Sequence, residues 1–240
     1  MSTDARWRVG VVIPAQNEEV TIQRCIEHVL AAHEHCGRRA LLWIVVVADA
    51  CSDATVHRAR IALGCRGAVI EGSPRSPGSA RRLGAAAVLE HFGQANAARI
   101  WLANTDADTY VALDWLKVHL DHADEGVDAL AGIVQLDASE GLREDIRRLY
   151  RETYQLGVDG THTHVHGANL GVRADAYLDV GGWSHLTVAE DHCLWHRLKA
   201  RGWRLRSCVK SVVMTSARLH GRALDGFADT MRRRLGSQHG

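Results

Sequence analysis

Residues 101–116 read WLANTDADTYVALDWL. An apolar run, Trp101 to Ala103, ends in Asp106, Ala107 and Asp108, and a helix-like pattern begins just after. Two bare carboxylates at the end of a buried strand would repel each other and lose hydration, so a positive charge belongs between them. If the strand end is extended, side chains two residues apart face the same way, and Asp106 and Asp108 converge. Paired carboxylates suit Mg²⁺ or Mn²⁺ better than zinc. Mg²⁺ takes few protein carboxylates and fills its shell from water and substrate phosphates, so the motif points to a metal-bound diphosphate. The competing reading is a solvated turn in which Asp108 caps the next helix.

Working outward, strand and helix signals alternate. Strands are predicted at 8–15 (RVGVVIPA), 40–50 (ALLWIVVVADA), 67–72 (GAVIEG) and 98–108 (ARIWLANTDAD). Helices are predicted at 17–32, with Asn17 as cap, and at 51–63, 79–92 and 111–126. This alternation predicts an α/β fold built on a mainly parallel sheet with helices on both faces. Beyond it come a strand at 127–136, a long helix at 141–157, a loop and strand at 161–172, a helix at 189–202, a strand at 203–218 and a terminal helix at 223–235. Ligands of open parallel sheets gather beyond the carboxyl ends of the strands. Four polar stretches fall there: Pro14 to Glu18, Asp49 to Asp53, Ser73 to Arg82, and Asn104 to Thr109.

The chain has 240 residues, 46% of them hydrophobic, and a formal net charge of +1. That suffices for a sizeable core and gives no sign of a nucleic-acid surface. No apolar run reaches the roughly 20 residues of a membrane span, and the first residues, MSTDARWRVG, lack a signal-peptide core. The six cysteines show no CxxC pair, which predicts reduced, mostly buried thiols and a cytoplasmic protein.

The motifs together resemble the inverting, non-processive glycosyltransferases of family 2, with the fold called GT-A. The resemblance spans residues 8–220: VVIPAQNEE (11–19), VVVADACSDAT (45–55), GSARRLGA (78–85), NTDADTYV (104–111), HGANLGVRADAYLDVGGW (166–183) and AEDHCLWHRLKARGW (189–203). It implies one GT-A domain over residues 1–240, with a nucleotide-sugar-binding half (1–110) and an acceptor or catalytic half (111–240). It implies that Pro14, Ala15, Asn17 and Glu18 line the nucleoside pocket, that Asp49 hydrogen-bonds the base, and that Arg81 lies near base and diphosphate. Asp106 would contact ribose or metal, Asp108 the metal (Mg²⁺ or Mn²⁺), and Asp191 would be the catalytic base, with Glu190 helping to shape the site. The partners implied are a nucleoside-diphosphate sugar donor and a small-molecule, lipid or glycan acceptor. The first aspartate of the family's usual adjacent pair is Ala48 in this chain, and Arg82 stands where asparagine is common. No Gln-x-x-Arg-Trp follows the Glu-Asp helix, as it does in processive relatives, so transfer of a single sugar is expected.

The chemistry is consistent with those roles. A leaving diphosphate is stabilised by a divalent ion and an arginine, and inversion needs a carboxylate to take the acceptor's proton. Glu190 and Asp191 open a predicted helix, a place that favours negative charge but also one where acids commonly serve as caps. His220 is either a late metal ligand, with Arg218 or Arg222 reaching the diphosphate, or a solvated loop residue. His162, His164 and His166 would share a face on a strand and could hold zinc, although the incidental reading is favoured. Leu224, Phe227, Met231 and Leu235, with Arg232 to Arg234, form a basic stripe that packs on its own domain or touches a membrane. Trp183 and Trp195 are candidates for stacking on a sugar, or core residues.

Three rivals fit less well. A nucleotidyltransferase would need a Gly-rich, Lys-bearing phosphate loop after the first strand, and PAQNEEVTIQ has neither residue. A non-catalytic sugar-nucleotide-binding module would be expected to have lost an acid at 106, 108 or 191. A glycoside hydrolase could use paired carboxylates, but it leaves the nucleotide-type first half unexplained.

Overall fold

The structure, a computed structural model, describes residues 6–137, 157 and 159–216. Its spine is β1 (Trp7–Ala15), with β2 (Ala40–Asp49) and β4 (Ile100–Asn104) parallel to it on either side and β3 (Gly67–Gly72) parallel to β2. Val9, Val11, Val12 and Ile13 are all fully buried, the mark of a parallel strand covered on both faces. The other strands are β5 (Thr109–Val111), β6 (Ala129–Leu136), β7 (Leu170–Arg173) and β8 (Leu205–Thr215). The sheet order is β3-β2-β1-β4-β7-β6-β8-β5. β7 runs antiparallel to both β4 and β6, and β5 antiparallel to β8, so the sheet is parallel at the first four strands and mixed beyond them.

Alternation along the strands divides the core in two. Val9, Val11, Ile13, Ile44 and Val46 pack with α1 (Ile22–His35), α2 (Thr55–Leu63) and α4 (Trp115–Asp124). Val12, Val45 and Val47 pack on the other face with α3 (Pro77–Phe92), α5 (Ala174–Asp179) and α6 (Glu190–Ala200). α3 begins where Ser76 caps it, accepting from the Ser79 amide at 3.1 Å, with Pro77 at the first position. β8 carries a bulge: its partner on β6 jumps from Cys208 opposite Gly132 to Val212 opposite Ile133. The bulge turns Ser211 into the interior, where a Cβ on Gly132 would sit 2.5 Å from the Ser211 carbonyl oxygen.

Several sequence expectations are corrected. Asn17 does not cap the first helix, which starts at Ile22; Asn17 sits at φ 53° and its side chain turns to the neighbouring loop. The fourth strand stops at Asn104, so Asp106 and Asp108 lie in a turn, closed by the Thr109 amide donating to the Asp106 carbonyl at 3.0 Å. Asp108 caps no helix, because β5 intervenes before α4. No strand forms at 161–166, so the three histidines do not share a strand face. All six cysteines are free thiols, of which Cys25, Cys36 and Cys208 are buried and Cys65 is exposed. No described helix is long and apolar enough to cross a membrane. The helix expected at 141–157 falls, but for Gly157, outside the described residues, as do His220, Arg218, Arg222 and the terminal helix.

Candidate active site

The carboxyl ends of β1 to β4 open on one side, and their loops are laced together there. The Asn17 Oδ1 accepts from the Ser52 amide at 2.8 Å, and the Glu18 amide donates to Thr55 Oγ1 at 2.7 Å. Glu19 and Asp53 trade bonds: the Glu19 amide donates to Asp53 Oδ2 at 3.1 Å, and Glu19 Oε2 accepts from the Ala54 amide at 3.0 Å. The Cys51 thiol donates to the Ala15 carbonyl at 3.4 Å. The Glu18 carboxylate turns back to its own helix start, accepting from Thr21 Oγ1 at 2.9 Å. Asp49, at the end of β2, is half-buried and accepts from the Arg75 amide at 3.3 Å. Among the described residues, the four non-glycine residues at positive φ are Asn17, Ala50, Arg75 and Ala189. Three of them sit in these loops and the fourth directly precedes α6, as backbone strain at a working site would have it.

Arg81 is the centre of the site. Its Nη2 donates to Asp106 Oδ1 at 2.6 Å and its Nη1 to Glu190 Oε1 at 2.5 Å. Burial alone would lower the Arg81 pKa, but Asp106, Glu190 and Asp191 outweigh it and hold the guanidinium charged. Burial pushes the Glu190 carboxyl up, with Arg81 opposing. The positive charge that the Asp106–Asp108 pair calls for is therefore, in this structure, an arginine from α3. Gly167 makes room for it: a Cβ there would lie 2.5 Å from Arg81 Cζ. The neighbouring Arg82 holds the turn before α6's loop by donating to the carbonyls of Gly181 and Trp183 at 2.7 and 2.9 Å.

The Asp106–Asp108 turn lies against two other elements. The Cys25 thiol on α1 donates to the Asp106 carbonyl at 3.3 Å, and burial, with Asp108, Asp106 and Glu18 around it, pushes that thiol well above its usual range. On the other side the Ser216 amide donates to the Asp108 carbonyl at 3.1 Å, so the chain leaves β8 beside the acids. Immediately before the turn, Asn104 Oδ1 and Thr105 Oγ1 are buried oxygens without a protein partner. Carboxylates with spare neutral oxygens are a donor set that fits Mg²⁺ or Mn²⁺. Among the described residues no group of three or more His, Cys, Asp or Glu side chains is gathered to hold an ion, the three histidines included.

Asp191 stands at the start of α6, one residue from Arg81's partner. Its Oδ2 accepts from the Gly167 amide at 2.9 Å and its Oδ1 from the His192 amide at 2.7 Å, which fixes the carboxylate's direction. His166, half-buried beside it, is pushed down to about 4 by burial despite Asp191, and is therefore neutral at pH 7. The loop that carries Gly167 is anchored from below. Trp101 Nε1 can only donate, so it fixes His119 Nδ1 as acceptor at 3.1 Å. The other nitrogen, Nε2, then donates to Ser211 Oγ at 3.0 Å, and Ser211 Oγ donates to Asn169 Oδ1 at 3.0 Å. Trp115 Nε1 also donates to Asn169 Oδ1 at 2.9 Å, and Asn169 Nδ2 donates to the carbonyls of Ile133 and Ser211.

The structure thus brings Arg81, Asp106, Glu190 and Asp191 together, with Asp108 close to Asp106 in the same turn and Asp49 at the end of β2, one strand removed from β4. Trp183 is core, 1% exposed, with Arg81 5.4 Å over its ring, and Trp195 packs half-buried on the second core. Trp183 is therefore a core residue and offers no exposed face to a sugar. Sequence reasoning missed the Trp101–His119–Ser211–Asn169 chain, because bonds between residues 18 to 92 positions apart leave no local pattern.

The family whose model matches the chain is described as Glycosyl transferase family 2, over residues 10–181. No curated protein matches it. Among solved structures, it is similar to S. aureus TarS 1-349 in complex with UDP-GlcNAc, with a TM-score of 0.65 at 16% identity, covering 96% of this chain and 66% of that one. It is similar to the mannosyltransferase PcManGT from Pyrobaculum calidifontis in complex with GDP-Man and Mn²⁺, with a TM-score of 0.64 at 18% identity, covering 97% and 61%. It is also similar to GalNAc-T7 with UDP, GalNAc and Mn²⁺, with a TM-score of 0.66 at 15% identity, covering 90% and 45%. At such identities the likeness is one of fold. The chain spans less than two thirds of the length of each of these structures.

Proposed function

Since the chain belongs to glycosyl transferase family 2, we propose that it moves one sugar from a nucleoside-diphosphate donor to an acceptor hydroxyl, with inversion at the anomeric carbon. The observation that carries this reading is the Arg81 bridge. One guanidinium joins Asp106, at the end of a nucleotide-type strand, to Glu190, the residue before Asp191. Donor-side and acceptor-side groups therefore meet at one point.

The roles follow from position. Pro14, Ala15, Asn17 and Glu18 border the nucleoside, chiefly through their backbone, and Asp49 accepts a ring N–H of the base. Arg81 and the Asp106–Asp108 turn face the diphosphate. Asp106 and Asp108 would hold Mg²⁺ or Mn²⁺, and such an ion supplies charge stabilisation to the leaving group when bound. His220 is a proposed further ligand. The acceptor hydroxyl oxygen forms its bond to the anomeric carbon as the bond to the diphosphate oxygen breaks. The electron pair leaves with the diphosphate, and the hydroxyl proton passes to Asp191. Two backbone amides already aim that carboxylate. Glu190 is the poorer base, since it is buried and engaged by Arg81.

The test is thermal unfolding of the chain against a panel of UDP-, GDP- and dTDP-sugars, with and without Mn²⁺. A donor present at 100 times its dissociation constant adds about 2.7 kcal/mol, which moves the midpoint of a chain this size by roughly 5–10 °C. The reading expects one nucleotide class to do so, and only with metal. No stabilisation by any nucleotide sugar would contradict it.

A further inference from the structure

Arg81 is shared by carboxylates from two different elements, Asp106 in the turn after β4 at 2.6 Å and Glu190 at the start of α6 at 2.5 Å. The three side chains are 4%, 36% and 9% exposed, so Arg81 and Glu190 are enclosed while Asp106 keeps a face to the cleft. The guanidinium has no room to leave. Gly167 closes one side, with no space even for a methyl group, and the Trp183 ring lies 5.4 Å away. Its Nε is buried without a partner, so the two terminal nitrogens carry its bonds.

This geometry sets a charge balance. With Glu190 ionised, Arg81 and Glu190 cancel, and Asp106 and Asp108 together present two negative charges to the cleft. With Glu190 neutral, the same fixed guanidinium is spent on Asp106, and one negative charge remains. We propose that Glu190 is a positioning residue whose negative charge neutralises Arg81 and so leaves Asp106 available to a divalent cation. The proposal rests on the metal-and-donor reading above. Its consequence is asymmetric. Losing the Glu190 charge weakens cation binding, yet makes the site no less attractive to an anionic diphosphate. A charge on the order of 7 Å from a divalent ion, partly screened, is worth about tenfold in affinity.

The test uses the full chain, Glu190→Gln and Glu190→Asp, with whichever of UDP, GDP or dTDP the unsubstituted protein binds. Calorimetry gives the Mn²⁺ concentration that half-saturates nucleotide binding, and the nucleotide dissociation constant at saturating Mn²⁺. Glu190→Gln should raise the Mn²⁺ requirement about tenfold while the nucleotide constant at saturating Mn²⁺ stays within about threefold. Glu190→Asp keeps the charge and should keep the Mn²⁺ requirement within about threefold. An unchanged Mn²⁺ requirement in Glu190→Gln, an equal rise in Glu190→Asp, or a parallel loss of nucleotide affinity would overturn the proposal. If the unsubstituted protein shows no Mn²⁺ dependence at all, it is the metal reading itself that fails.

Discussion

Asp106 and Asp108 are separated by one residue yet sit in unlike surroundings. Asp106 is tied to Arg81, whereas Asp108 carries its carbonyl bond to Ser216 and borders the end of β8. The two acids should therefore fail differently. Asp108→Ala removes a proposed cation ligand without unpairing a buried arginine, so the fold should survive and metal-dependent nucleotide binding should vanish. Unchanged nucleotide affinity with Mn²⁺ in that variant, by calorimetry, would show that Asp108 holds no metal. Asp191→Asn keeps the shape of the proposed base but only one of its two amide bonds, since the new Nδ2 cannot accept from Gly167 or His192. Donor affinity should hold while transfer falls by about 10²–10⁴-fold; near-normal transfer would remove Asp191 from the role. At this scale the sequence singled out Asp106, Asp108 and Asp191 because each sits in a short motif, and the structure gathers Asp106 and the start of α6 about Arg81. The sequence did not carry the Arg81–Glu190 bond, which joins residues 109 positions apart.

Beneath the Arg81 ion pairs, the loop carrying Gly167 is held by bonds that are neutral and buried. His119 on α4 is fully buried, and burial pushes its pKa to about 3, far below the ordinary value of 6.5. The unfolded chain takes up a proton as pH drops through about 6.5, and the folded chain does not until about 3. Stability is therefore lost across that window as pH falls, at up to about 1.4 kcal/mol per pH unit from this group. Between pH 7 and 5 that amounts to about 2 kcal/mol. His119→Gln should start less stable, because the Trp101 and Ser211 bonds suffer, and should lose about 2 kcal/mol less over the same interval in urea titrations. Equal pH dependence in the two proteins would mean that the imidazole is not held neutral. Strand and helix positions were legible because apolar periodicity is local: the strand 67–72 stands where GAVIEG put it, and α3 starts just before SARRLG. The first helix was misjudged because Asn17 and two glutamates look like a helix start. In the fold, Asn17 and Glu19 are taken up by the loop after β2 instead, and Glu18 accepts from Thr21.

At the scale of the molecule, one mixed sheet sets the Asp106–Asp108 turn just beyond β4, where Arg81 ties it to the start of α6. The parallel half was readable from strand–helix alternation, which leaves parallel pairing as the economical solution. The reversal at β7, and the bulge that turns Ser211 inward, depend on packing between distant segments and left no periodic trace. Family 2 membership and the Arg81 bridge together make a single displacement the central claim: the sugar leaves the diphosphate as a nucleophile arrives from the opposite face, with Asp191 taking its proton. The most direct measurement is proton NMR of the anomeric signal during the first minutes of reaction with the donor that stabilises the chain. Water serves as acceptor if no other is known, and Asp191→Asn is run alongside. The account predicts that the first product formed has the configuration opposite to the donor's, and that its appearance slows about 10²–10⁴-fold in Asp191→Asn. A first product that keeps the donor's configuration, or one formed at the same rate without the Asp191 carboxylate, would contradict it.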